Sequence, residues 1–155
     1  MDVNILGCMC ISYSVPIAYV IYHYSDHTSV SSIIQNSQIV LVSMIAMGFF
    51  TLLYEYQRND PVSFFFILLL LVGIYGVILI HELDPSHYFF AILAFLSILG
   101  FMINHCNTPF SYISVGAQLC VGSLFFDSEI FWKEIFFIGN FAVFYLYHSF
   151  AENIF

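Results

Sequence analysis

The sequence predicts an all-α integral membrane protein, a compact bundle of about six transmembrane helices joined by short loops. Three observations predict it. Of 155 residues, 61% are hydrophobic and 8% are charged, where an ordinary soluble domain carries about 25% charged residues. With 19 Phe and 11 Tyr and a mean hydropathy of +0.94, there is more apolar surface than one core of this size hides, and the surplus must face lipid. The apolar residues also come in six continuous runs rather than in alternation, and lipid admits only helices or closed barrels.

The runs are 5–24, 33–56, 62–80, 88–103, 110–126 and 131–150, most of them near the 17 to 25 residues that a crossing helix needs. The first has no basic segment ahead of it, begins after Asp2 and lacks a small-x-small cleavage site, so it reads as a retained span rather than a signal peptide. Pro16 lies inside it and predicts a kink. The second run is bounded by Ser25-Asp26-His27-Thr28 before it and Gln57 to Pro61 after it. The third carries Gly73 and Gly76, and the fifth carries Gly116, Cys120 and Ser123, small surfaces on which helices approach closely. The fourth and fifth runs are short for about 30 Å of hydrocarbon at 1.5 Å per residue, so they read as thin or re-entrant spans. Pro61, Pro85 and Pro109 stand at starts or turns, where a missing N–H costs least. One domain over 1–155 is expected, with no room for a soluble one.

Polar residues within the runs are few. Gln118 and Asn140 are the notable amides and read as inter-helix hydrogen-bonding groups. Tyr13, Tyr19, Tyr22, Tyr24, Tyr54, Tyr56, Tyr88, Tyr112, Tyr145, Tyr147 and Trp132 fall mostly near run ends, as an interfacial aromatic belt does. Cys8, Cys10, Cys106 and Cys120 lack zinc-knuckle spacing and read as small packing residues.

Lys and Arg total two, Arg58 and Lys133, against ten acids. Nucleic acid is thereby excluded as a partner, and so is a polybasic patch for anionic lipid. The bilayer itself and other membrane proteins remain. Two basic residues also leave the insertion direction undetermined, because they fall on opposite sides of a six-span layout.

Two groups of residues carry candidate chemistry. His23, Asp26 and His27 follow the first run, and His81, Glu82, Asp84 and His87 lie between the third and fourth. All fall on one side of the bundle, and His23 and His27 share a helix face if the helix reaches them. His23, His27, His81 and His87 are therefore the candidate metal ligands of a lipid hydrolase. The absent H-E-x-x-H pattern weighs against it, and ordinary interfacial histidines are the plainer reading. The second group is Glu55, Arg58 and Asp60, read as a structural ion pair fixing the hairpin between the second and third runs. No G-x-S-x-G, G-x-x-x-x-G-K or T-V-G-Y-G occurs, so neither an enzyme, nor a cofactor, nor a potassium filter is expected.

Tyr24-Ser25-Asp26-His27-Thr28, and Gly73-Ile74-Tyr75-Gly76 followed by His81 and His87-Tyr88-Phe89-Phe90-Ala91, together with the six-span layout, resemble the damage-regulated autophagy modulators and their relatives. The first segment is similar to that family's I-S-D-T, although Val30-Ser31-Ser32 stands where the family has Pro-Glu. The resemblance implies a non-enzymatic protein of lysosomal, other endomembrane or plasma membranes that modulates trafficking or lipid organisation. From the residues alone, the expected function is a non-catalytic membrane protein acting through helix packing with lipids or partners. A structural subunit of a respiratory complex or a viral internal membrane, and a metal-dependent lipid hydrolase, are the alternatives.

Overall fold

The computed structural model describes residues 3–23, 29–81, 83–123 and 130–154. The described residues form seven helices and no strand: α1 (Val3–Tyr22), α2 (Val30–Gln35), α3 (Gln38–Arg58), α4 (Pro61–Leu79), α5 (Pro85–Asn104), α6 (Pro109–Ser123) and α7 (Ile130–Ile154).

Local chemistry sets the helix starts. Asp60 accepts from the backbone N–H groups of Val62 (3.0 Å) and Ser63 (3.2 Å), and Pro61 follows it at the first helical position. Asp84 and Pro85 repeat that arrangement at α5. Before α6, Thr108 and Ser111 exchange backbone-to-hydroxyl bonds of 2.8 and 3.1 Å, a reciprocal cap that satisfies two otherwise orphaned donors. The turn from α3 to α4 is made by Asn59 at φ 57°, a left-handed conformation that Asn tolerates better than most residues.

Three described helices, α3, α4 and α5, are long and apolar enough to cross a membrane, fewer than the six runs suggest. α1 carries the apolar stretch Gly7–Tyr22. α6 has 15 residues, and α7 has 25 but is interrupted by Lys133, Glu134, Asn140 and His148. The fourth run is longer than expected: capping by Asp84 and Pro85 extends α5 to 20 residues, about 30 Å. The start of the second run is also corrected, because Ser37 caps α3 and 30–35 form the separate helix α2.

The closest helix pair is α4 and α5. A Cβ on Gly73 would lie 2.7 Å from the backbone N of Ala94, and one on Gly76 would meet the Phe90 ring. Glycine at both positions lets the backbones approach, as the small residues of this run suggest. The small residues of α6 act differently. A Cβ on Gly116 would meet nothing within 4 Å, and Cys120 and Ser123 are exposed. α6 instead buries Ser111, Ser114 and Gln118. Asn140 of α7 donates to Gln118 Oε1 at 2.6 Å and to the Ser114 carbonyl at 3.0 Å, while Ser114 Oγ donates to Asn140 Oδ1 at 2.7 Å.

Most large side chains at the helix surfaces are exposed and apolar, and the buried set forms two clusters. The larger contains Met9, Tyr13, Tyr54, Ile67, Phe101, Phe144 and Tyr145. The smaller gathers Val20, Val30, Ile34, Val40, Met44, Ile78 and Phe131 around α2. Tyr13, Tyr54 and Tyr145 thus belong to the core and not to a surface belt. Tyr22, Tyr56, Tyr88, Tyr112 and Trp132 are exposed. Tyr24 lies outside the described residues.

Candidate functional site

The ends of α3, α5 and α7 meet the start of α4 around a polar cluster. It begins on α3, where Val40, Met44, Met47, Thr51, Tyr54 and Glu55 are buried at helical spacing. Glu55 continues that inward stripe, so its side chain is fully buried. Arg58, one turn on, sits at the helix C-terminus, where a cation suits the helix dipole.

Glu55 Oε1 accepts from Tyr145 Oη of α7 at 2.6 Å and from Arg58 Nη1 at 3.3 Å. Arg58 Nη2 lies 3.0 Å from His148 Nε2. Since the guanidinium only donates, this places the lone pair of a neutral imidazole on His148 Nε2. The guanidinium also lies 5.7 Å from the centre of the Tyr54 ring. Tyr54 Oη donates to the Ser149 carbonyl (3.3 Å), a second tie between α3 and α7. Deeper in the bundle, Thr51 Oγ1 gives its proton to the Met47 carbonyl (2.7 Å), so the Tyr13 hydroxyl donates to Thr51 Oγ1 (3.2 Å). Glu55 Oε2 has no hydrogen-bond partner among the described residues.

The second half of the cluster lies at the α4 cap. Ser63 Oγ donates to Asp60 Oδ2 at 2.7 Å and receives a hydrogen bond from His105 Nε2. The His105 ring lies 4.1 Å, centre to centre, from that of His148. Burial, and then the neighbouring Arg58 charge, push His105 down to about 4 against an opposing pull from Asp60. His105 is therefore neutral at pH 7, and its 3.9 Å approach to Asp60 Oδ2 is not a charge pair. Burial raises the Asp60 carboxyl, but hydrogen bonds from the Ser63 side chain and the Ser63 and Val62 N–H groups outweigh it, and the net shift is downward.

Ser63, His105 and Asp60 are the residue types of a hydrolytic triad in a different geometry. A triad histidine bridges serine and carboxylate through its two nitrogens. Here both oxygens approach the same Nε2, and the serine proton goes to the carboxylate. Ser63 is also fully buried. The arrangement caps a helix and binds it to the end of α5.

The ion pair expected of Glu55 and Arg58 is present, and its reach differs from expectation. The pair lies within α3 and is tied to α7 through Tyr145 and His148, while Asp60 caps α4. His23 Nδ1 lies 2.9 Å from the Tyr19 carbonyl, with its ring stacked on Tyr19. His81 Nδ1 accepts from the Leu83 N–H at 3.3 Å, and buried His87 donates through Nδ1 to the Ile80 carbonyl at 3.0 Å. His27 lies outside the described residues, as do Asp26 and Glu82. No group of three or more His, Cys, Asp or Glu placed to hold a metal occurs among the described residues.

The sequence assigns no site role to His105 or His148, and it reads Tyr145 only as part of an interfacial belt. A signal for two of them was present: Phe141, Tyr145 and His148 repeat at four and three residues, one face of a helix. What the spacing could not supply was the partner on α3.

Together these features define an all-helical protein with three helices long and apolar enough for a membrane and a buried charged cluster tying its helix ends. No family model matches the chain, and neither a curated protein nor a solved structure matches it.

Proposed function

We propose that this chain is a multi-pass membrane protein in which α1 and α3 to α7 cross the bilayer and which acts without catalysis, through packing with lipids or partner proteins. The observation that carries this reading is the direction of its side chains. Large apolar residues point outward from all six helices, among them Ile11, Phe49, Phe65, Phe89, Ile113 and Val143. Polar ones such as Glu55, Gln118 and Asn140 turn inward and engage other helices. Only 33% of the most apolar stretch of α4 is buried, so that helix needs an apolar solvent or a partner around it. The resemblance in segments 24–28 and 73–91 supports a role in trafficking or lipid organisation.

Native gel migration of the tagged protein from gently solubilised membranes, with mass spectrometry of its companions, tests this. Migration near monomer or dimer mass without a constant companion is expected. Migration within one much larger complex would overturn it in favour of a structural subunit.

A further inference from the structure

Away from the polar cluster, the other half of the bundle encloses a half-open cavity of about 130 Å³, walled by α1, α2, α3, α4, α5 and α7. Of its twenty lining residues, the side chains of Tyr13, Ser31 and Glu134 are polar. Each of these is already engaged. Tyr13 bonds Thr51, Ser31 Oγ lies 3.0 Å from Ser29 Oγ, and Glu134 Oε2 accepts from the Val30 N–H at 2.9 Å. The rest of the wall is aliphatic or aromatic, Met47, Ile74 and Ile98 among it.

Polarity and size together narrow the occupant. Water held in a cavity needs two to four polar partners, and this wall offers few that are not engaged. A helix is about 10 to 12 Å across with its side chains, too thick for this volume. Along α4 the lining runs from Leu70 to Ile78, eight steps of the helix or about 12 Å, so the space is elongated beside that helix. Its α2 wall is fixed at both ends: Glu134 holds Val30, and Gln35 Nε2 donates to the Val77 and Ile80 carbonyls at 3.0 and 2.9 Å.

We propose that this cavity binds one acyl chain of a membrane phospholipid, which enters from the surrounding bilayer. The proposal rests on the reading of the chain as membrane-embedded. A linear hydrocarbon matches the length, the small volume and a wall whose few polar side chains are already engaged, and it is the solvent at that depth.

The full chain, reconstituted in phosphatidylcholine vesicles, is photolabelled with phosphatidylcholine carrying a diazirine in one acyl chain, and in parallel with diazirine palmitic acid. Labelled peptides are mapped by mass spectrometry. The expected result is phospholipid label on peptides containing Met47, Ile74 or Ile98. That label is lost in Ile98→Trp and reduced in the milder Met47→Phe, each checked for an intact thermal transition, and retained in the outward-facing Leu96→Trp. Label confined to outward positions such as Phe49 and Leu96, and unchanged by filling the cavity, would overturn the proposal while the membrane reading stands. Cavity labelling by palmitic acid alone would overturn the phospholipid chain as occupant. Label at no position would overturn the membrane reading and this proposal with it.

Discussion

At the scale of single residues, Glu55 shows how burial changes what a charge does. In a loop, an ion pair with Arg58 contributes little, because water competes for both groups. In the core, removing one partner leaves the other uncompensated, at a cost of about 3–5 kcal/mol. Glu55→Ala should therefore lower thermal stability in detergent strongly, with Glu55→Gln intermediate because its amide oxygen still accepts from Tyr145. A loss no larger than that of the outward Leu96→Ala would refute this account. His105 gives a pH dependence with a definite sign. Its pKa is about 4 in the folded chain against 6.5 for a free histidine, so below pH 6.5 the unfolded chain takes up a proton that the folded one refuses. Its contribution is fully present above 6.5 and is lost as pH falls through about 4. His105→Gln should flatten the fall in melting temperature between about pH 7.5 and about pH 5, and an unchanged slope would count against a neutral His105.

Among elements, the α4–α5 pair and α6 separate two uses of glycine. Gly73 permits backbone contact with Ala94, so Gly73→Ala must push two helices apart and should destabilise the fold. A Cβ at Gly116 meets open space, and Gly116→Ala gains helix propensity of about 0.5–1 kcal/mol. Paired unfolding measurements should therefore shift in opposite directions, and shifts of the same sign would show that the glycines are equivalent. The sequence marked both as small surfaces and could not separate them, because composition does not say which helix lies opposite. It did place Pro61, Pro85 and Pro109 at starts, since a missing N–H and a fixed φ are local properties. Helix α2 escaped it. Its apolar Ile33 and Ile34 merged with the following run, and the break is made by the side chain of Ser37 capping α3.

For the molecule as a whole, the turns between consecutive helices place Asn36 and Leu83 at one end of α3, α4 and α5 and Asn107 at the other. On the multi-pass reading, single cysteines at these sites in a background without native cysteine should sort by side. Asn36→Cys and Leu83→Cys should react with an impermeant maleimide from one face of sealed vesicles, and Asn107→Cys only from the opposite face. Reaction of all three from one face would overturn a six-span arrangement. By itself the sequence determined that the chain is helical and that its apolar residues come in long continuous runs. Those properties depend on composition and run length, which short-range chemistry fixes. The tertiary structure alone decided that Glu55 reaches Tyr145 ninety residues away, that Tyr13 and Tyr54 are core, and that a hydrocarbon-sized space lies beside α2. Each depends on which helix faces which, and apolar faces as alike as these leave that choice to packing across the bundle.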